Sequence, residues 1–329
     1  MKNIKKLLVF ALIVSILSLC FSLSMAETEP AAIRVASMKG PTSMGMVKLM
    51  IDDSESATAQ DYEFTVAGAA NEIVPMIAQG TIDIALIPCN LASTLYNNTG
   101  KIEVAAVNVL GVLYIVENGE TVQSIEDLRG ATIFSTGKGT TPEYGLRHVL
   151  AKAGIDPDKD VTIEYKSEAA EVLAAIKSGL CTVAMLPQPF VTAAMSQVEG
   201  LRVALDLTEE WNKVDQTGSM VTGTVVVRKG FLEENPEAFE TFLTEYAAST
   251  EYVNANPADE TVCQWIDDLD IAKAAIAAKA IPACNIVCIT GEEMHKAVSG
   301  YLTALHAQNP EAVGGALPAE DFYYLGNAQ

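Results

Sequence analysis

The chain has 329 residues, 50 % of them hydrophobic, and 42 acidic against 21 basic side chains give it a formal net charge of −21 at pH 7. Such a length is enough for two lobes with separate cores. The charge repels nucleic acid and anionic membrane surfaces, which excludes both as partners of the surface as a whole.

The first 26 residues, "MKNIKKLLVFALIVSILSLCFSLSMA", stand apart. Lys2, Lys5 and Lys6 make a positive start, an apolar run follows, and Ser24-Met25-Ala26 offers small residues for cleavage. This is the pattern of a secretory signal peptide (residues 1–26), with cleavage expected after Ala26. A lipid anchor at Cys20 is the alternative, but Leu19 stands where such sites usually carry Ala or Gly. No later apolar run is long enough to span a bilayer. The expected location is therefore the periplasm or the outer face of the cell membrane.

From residue 33 the chain repeats itself at an offset of 99 without a gap. "IRVASMKGPTSMG" (33–45) lies over "TIFSTGKGTTPEY" (132–144), and "GTIDIALIPCNLAS" (80–93) over "GLCTVAMLPQPFVT" (179–192). Lys39-Gly40 then meets Lys138-Gly139, Thr42 meets Thr141, and Pro88 meets Pro187. Each copy reads strand, helix, strand, helix, strand, helix. "IDIALIP" and "TVAMLP" are continuous apolar runs, as a parallel strand covered on both faces requires. The alternation predicts α/β units. Short strands in 102–116 link the copies, and "TVVVRK" follows the second copy, before an acidic helix at 236–248. The remainder, to about residue 312, reads as largely helical. The simplest topology is discontinuous: 27–115 with 221–329 as lobe 1, and 116–220 as lobe 2. Two crossing segments between lobes make a hinge.

In open parallel sheets, ligands bind beyond the carboxyl ends of the strands. The turns at 38–44, 88–91, 136–142 and 187–190 all fall there, two from each copy. Helix starts present unpaired N–H groups and a positive dipole end, suited to a carboxylate, sulfonate or phosphonate. The candidate ligand-binding residues are Lys39, Gly40, Pro41, Thr42, Ser43, Pro88, Cys89 and Asn90 from the first copy. The second copy adds Thr136, Lys138, Gly139, Thr140, Thr141, Gln188, Pro189 and Phe190. Lys39 and Lys138, at matched positions, are expected to clamp an anion from both sides. Asn90 and Gln188 would read the ligand through their amides, and Phe190 would form an apolar wall or a core contact. Ordinary helix caps are the plain alternative for the hydroxyls, and Cys89 reads as a small buried filler.

Other chemistries fit poorly. "GKGTT" lacks the Gly-x4-Gly-Lys-Ser/Thr spacing of a phosphate loop. Glu143 has no acidic partner in these turns for general acid/base work, and reads as support for its own helix start. Cys89, Cys181, Cys263, Cys284 and Cys288 match no zinc spacing, and a bridge among the last three is open. His148, His295 and His306 lie far apart and read as structural. No catalytic residue, metal or cofactor is expected.

With its export signal and paired α/β units, the chain resembles the extracytoplasmic solute-binding proteins of ABC importers. Within them it is similar to the nitrate/sulfonate/taurine and thiamine-precursor group, the NMT1/THI5-like family. The carrying stretches include "GTIDIALIPCNLASTLYN", "SIEDLRGATIFSTGKGTTPEYGL", "VAMLPQPFVT" and "VVVRKGFLEENPEAFETFL". The resemblance implies a two-lobed type II periplasmic-binding-protein fold of the α/β class, each lobe a mainly parallel sheet flanked by helices. It implies a monomer, not an enzyme, that captures a small solute by lobe closure and delivers it to an ABC permease and ATPase complex. A sulfonate-, taurine- or nitrate-like anion is favoured, with a thiamine-pyrimidine or other heterocyclic vitamin precursor as alternative. From other classes, a menaquinone-pathway-like enzyme on this fold and a ligand-presenting partner of a membrane sensor stay open.

Overall fold

A computed structural model describes residues 31–214 and 219–326. The expected signal peptide and Cys20 lie outside the described residues. Strand β1 (Ile33–Met38) runs into a short helical turn, α1 (Pro41–Met44), and then α2 (Val47–Ser54), β2 (Tyr62–Ala67), α3 (Ala70–Gln79), β3 (Ile84–Pro88) and α4 (Cys89–Thr99). Strands β4 (Ile102–Val109) and β5 (Leu113–Asn118) follow. The second copy supplies β6 (Thr132–Ser135), α5 (Thr141–Lys152), β7 (Thr162–Tyr165), α6 (Ala169–Lys177), β8 (Val183–Pro187), α7 (Phe190–Gln197), β9 (Leu201–Asp206) and α8 (Leu207–Val214). The return is β10 (Gly223–Arg228), α9 (Lys229–Glu234), α10 (Pro236–Ala255), α11 (Glu260–Asp268), α12 (Ala274–Ala280), β11 (Ile286–Thr290) and α13 (Gly291–Gln308).

Two sheets result, with orders β11-β4-β10-β3-β1-β2 and β7-β6-β8-β5-β9. The repeat is visible in both. β1 pairs parallel with β2 and β3, and β6 pairs parallel with β7 and β8. The next place in each sheet is taken by a strand running the other way, β10 on β3 and β5 on β8. Each of these is the first strand after the chain crosses between sheets. β5 lies wholly in the second sheet, so the first crossing is at 110–112, ahead of the expected boundary at 115/116. β11 is a strand where the sequence read as helical; it covers the edge of β4.

The apolar runs are buried because helices cover both faces. Ile84, Leu86 and Ile87 of β3 have no exposed surface, nor do Ala184 and Leu186 of β8. Each such leucine or isoleucine side chain contributes about 1.5–3 kcal/mol relative to exposure. The cores are not separate as expected. One apolar cluster takes Ile87, Val107 and Tyr301 from the first half and Leu146, Val149 and Trp211 from the second. The join is aromatic: the Trp211 and Tyr301 ring centroids are 5.4 Å apart, and Trp211 stacks on His148 at 4.2 Å.

All five described cysteines are free thiols. Cys263 and Cys284 belong to the cluster under α11 and α12, whereas Cys288 packs against the cluster under α10. Cys284 and Cys288 thus contribute to different packed clusters.

Candidate functional site

The structure places the four turns beyond the carboxyl ends of β1, β3, β6 and β8, and brings two pairs of them together across the halves. Thr141 Oγ1, at the start of α5, donates to Asn90 Oδ1 in the first turn of α4 at 3.3 Å. Asn90 Nδ2 in turn donates to the Ala312 carbonyl at 3.3 Å. Both side chains are buried. Gly40 and Pro189 form the second meeting point, since a Cβ on Gly40 would sit 3.7 Å from Pro189 Cδ. Gly40 (φ 98°) and Gly139 (φ 77°) both hold left-handed backbone. Glycine is favoured there by conformation, because added atoms would meet nothing closer.

Other candidates turn toward their own chain. Ser43 is fully buried, hydrogen-bonded to the Ser37 hydroxyl and donating to the Met38 carbonyl at 2.6 Å. Pro41 opens α1, and the Thr42 carbonyl accepts from Asn108 Nδ2 at 3.4 Å. Pro88 precedes α4, and Cys89 has no exposed surface. Burial pushes the Cys89 thiol far up, so it is a packed filler rather than a thiolate. The Thr136 carbonyl accepts from Ser135 Oγ at 3.2 Å, and Thr140 Oγ1 donates to the Gly137 carbonyl at 2.7 Å. Glu143 Oε2 accepts the Gly139 N–H at 2.6 Å, which makes it the support of its own helix start. Gln188 Oε1 accepts from Thr192 Oγ1 at 2.9 Å, and the Gln188–Pro189 bond is cis. Phe190 is 43 % exposed, which rules out the core contact.

The two lysines do not form the expected clamp. Lys39 Nζ pairs with Asp270, whose carboxyl that hydrogen bond holds below its usual range. Lys138 Nζ stands 6.0 Å over the Tyr165 ring. It lines a groove of about 720 Å³ with Glu143, Arg147 and Tyr165, along the more open face of α5. Gln308 and Asn309 close that groove from the other half. Matched positions in a repeat share backbone placement, but the direction of a long flexible side chain follows its local partners, and these differ between the copies.

Further contacts knit the halves near the crossings. Tyr114 OH donates to the Ala283 carbonyl at 2.9 Å, and Asn285 Nδ2 donates to the Gly111 carbonyl at 2.5 Å. His148 Nδ1 and Gln308 Nε2 are 3.0 Å apart. Asn108 and Tyr301 went unread in the sequence. Asn108 carried a signal, being a lone amide inside the apolar run "IEVAAVNVLG". Tyr301 carried none, because a tyrosine on a helix's buried face looks like any core aromatic. Among the described residues, no group of His, Cys, Asp and Glu could hold a metal, and no helix is long and apolar enough to cross a membrane.

Comparison with known proteins agrees with this geometry. An ABC transporter from Parabacteroides distasonis is similar over 89 % of this chain and 98 % of its own, with 25 % identity and a TM-score of 0.74. The periplasmic aliphatic sulphonate binding protein SsuA from Escherichia coli is similar over 91 % and 94 %, at 17 % identity and a TM-score of 0.72. The periplasmic nitrate-binding protein NrtA from Synechocystis PCC 6803 is similar over 80 % and 74 %, at 14 % identity and a TM-score of 0.54. No curated protein matches the sequence significantly. The fold is thus that of a periplasmic binding protein, two sheets flanked by helices. Residues 35–272 match the family described as ABC transporter, phosphonate, periplasmic substrate-binding protein, and the chain belongs to that family. Its role is that of the solute-binding receptor of an ABC importer, working outside the cytoplasm with a permease and ATPase; it is not an enzyme.

Proposed function

We propose that the solute carries an oxyanion group, a sulfonate or phosphonate, and is held where the α1 and α4 starts face those of α5 and α7. The observation that carries this reading is the Thr141–Asn90 hydrogen bond, which puts helix starts from both halves of the repeat in contact. The description of the family and the names of the sulphonate and nitrate relatives support the class. In this reading the half built on the second sheet, β5 to α8 (113–214), forms a lobe that closes onto the rest. Solute bound on one lobe gains contacts from the other, and the population shifts to the closed form. The working form is an exported monomer beginning at Glu27. One observation favours a second reading, a heterocyclic vitamin precursor: Phe190 is exposed at the start of α7 and free to stack on a ring.

A hydroxyl bonded to a charged group contributes roughly 1.5–3 kcal/mol to binding, or about 10- to 150-fold in affinity. Thr141→Ala and Thr42→Ala are therefore each expected to weaken binding of ethanesulfonate or methylphosphonate by about that factor. Titration calorimetry on both variants checks this. Wild-type affinity in both would reduce these turns to helix caps.

A further inference from the structure

We propose that Tyr301, on α13, contacts the solute and donates its phenolic hydrogen to an oxyanion oxygen beside Thr141 and Asn90. The inference rests on the oxyanion reading above and adds a residue from outside the repeated turns. Tyr301 has no exposed surface, and its hydroxyl makes no well-aligned hydrogen bond, with only the Thr141 hydroxyl within reach of it. A buried hydroxyl with at best one poorly aligned partner is under-satisfied, which costs free energy, and its persistence calls for a functional reason. Its surroundings supply one. Thr141 is the hydroxyl beside it, contributed by the other half of the molecule, and Thr141 is itself bonded to Asn90. Three polar side chains from α13, α5 and α4 thus converge on the seam that the two halves share. The ring needs no hydroxyl to stay in place, because it packs on Trp211 at 5.4 Å within the shared apolar cluster. The phenol also stays protonated: burial pushes its pKa far up, so it remains a donor across the physiological range.

The chemistry that fits is a tetrahedral oxyanion. A sulfonate or phosphonate offers several oxygens, so one can take the Tyr301 hydrogen while others take hydroxyls and amides of the helix starts. Neither lysine of the turns is committed to this point, Lys39 being paired with Asp270 and Lys138 lining the groove along α5. Neutral donors therefore carry the recognition, and each one lost should be felt.

Tyr301→Phe removes only the hydroxyl. The free variant should melt close to the wild-type temperature, since at most a poorly aligned contact with Thr141 is lost. Calorimetry with ethanesulfonate and with methylphosphonate, run separately, should show affinity lower by about 10- to 150-fold for whichever anion wild type binds. A double-mutant cycle with Thr141→Val should show coupling, because both groups hold the same anion. If wild type binds either anion and Tyr301→Phe binds it equally well, the Tyr301 assignment is overturned while the oxyanion reading stands. A large drop in the free variant's melting temperature would overturn it too, since the hydroxyl would then be structural. If wild type binds neither anion, the oxyanion reading itself fails and takes the assignment with it.

Discussion

Asp83→Ala is expected to lower the free energy of unfolding by about 1.5–3 kcal/mol, the scale of hydrogen bonds to a charged group, because the carboxylate is buried while both of its arginine partners reach solvent. Asp83 directly precedes β3, and its side chain is 5 % exposed. It receives Arg34 Nε at 2.8 Å, Arg34 Nη2 at 2.7 Å and Arg228 Nη2 at 2.7 Å. The backbone follows the same lines, with the Asp83 N–H on the Arg34 carbonyl and the Arg228 N–H on the Asp83 carbonyl, both at 2.9 Å. One carboxylate thus ties β1, β3 and β10 together, and its loss leaves two partly exposed arginines without their shared acceptor. Burial alone would raise the Asp83 pKa. The hydrogen bonds from Arg34 and Arg228 overcome that and hold it below the ordinary carboxylate value. A depressed folded-state pKa gives stability that is complete above the unfolded value, about 3.9, and is lost as pH falls through the folded one. Urea unfolding followed by far-ultraviolet circular dichroism should show the loss at pH 7 and a shallower acid limb in the variant. The ion cluster sits at the end of β1 and β3 away from the four turns, so solute affinity per folded molecule should be unchanged. A loss below about 1 kcal/mol would mean that the cluster is screened like a surface pair.

Trp211→Ala should cost more, about 3–5 kcal/mol, through the cavity it leaves. Trp211 is fully buried, stacked on His148 and set against Tyr301. Its indole fills the place where the apolar cluster passes from one half to the other. Little can collapse into the gap, because α5, α8 and α13 are each anchored to a different part of the fold. The chain has two tryptophans, and Trp265 is the other. A Trp265→Phe background therefore leaves Trp211 as sole tryptophan, and its selectively excited emission should change in the same urea range as the circular dichroism. Denaturant melts of Trp211→Ala check the size of the effect, and a loss under about 1 kcal/mol would show that the seam is plastic.

The repeat made much of the fold legible. Strands β3 and β8 fall at the expected offset because continuous apolar runs ending in Pro have few other uses. β11 was missed because "NIVCIT" is short and follows Ala-rich helical sequence; only its pairing with β4 makes it a strand. The crossing falls three residues earlier than the expected boundary because β5 opens with the apolar run Leu113–Val116, and nothing in that run marks which sheet it joins. The turns were legible as turns, through Lys-Gly and the hydroxyls. Which way each side chain points was not. Ser43 faces its own strand, Gln188 bonds Thr192, and Lys39 finds Asp270 from 231 positions away. Those partners come from tertiary placement, which local spacing does not encode. Tyr301 shows the same limit from the other side. Its helical position predicts burial, and only its under-satisfied hydroxyl makes it a candidate.

Closure on a solute is the claim everything else serves, and small-angle scattering tests it most directly. The chain without its expected signal peptide, residues 27–329, would be measured alone and with ethanesulfonate or methylphosphonate at concentrations that calorimetry shows to be saturating. A smaller radius of gyration is expected with bound solute, as the half built on the second sheet, β5 to α8 (113–214), swings onto the rest about the segment at 110–112. An unchanged radius of gyration at saturation would contradict it, leaving a rigid module in which the two halves never part.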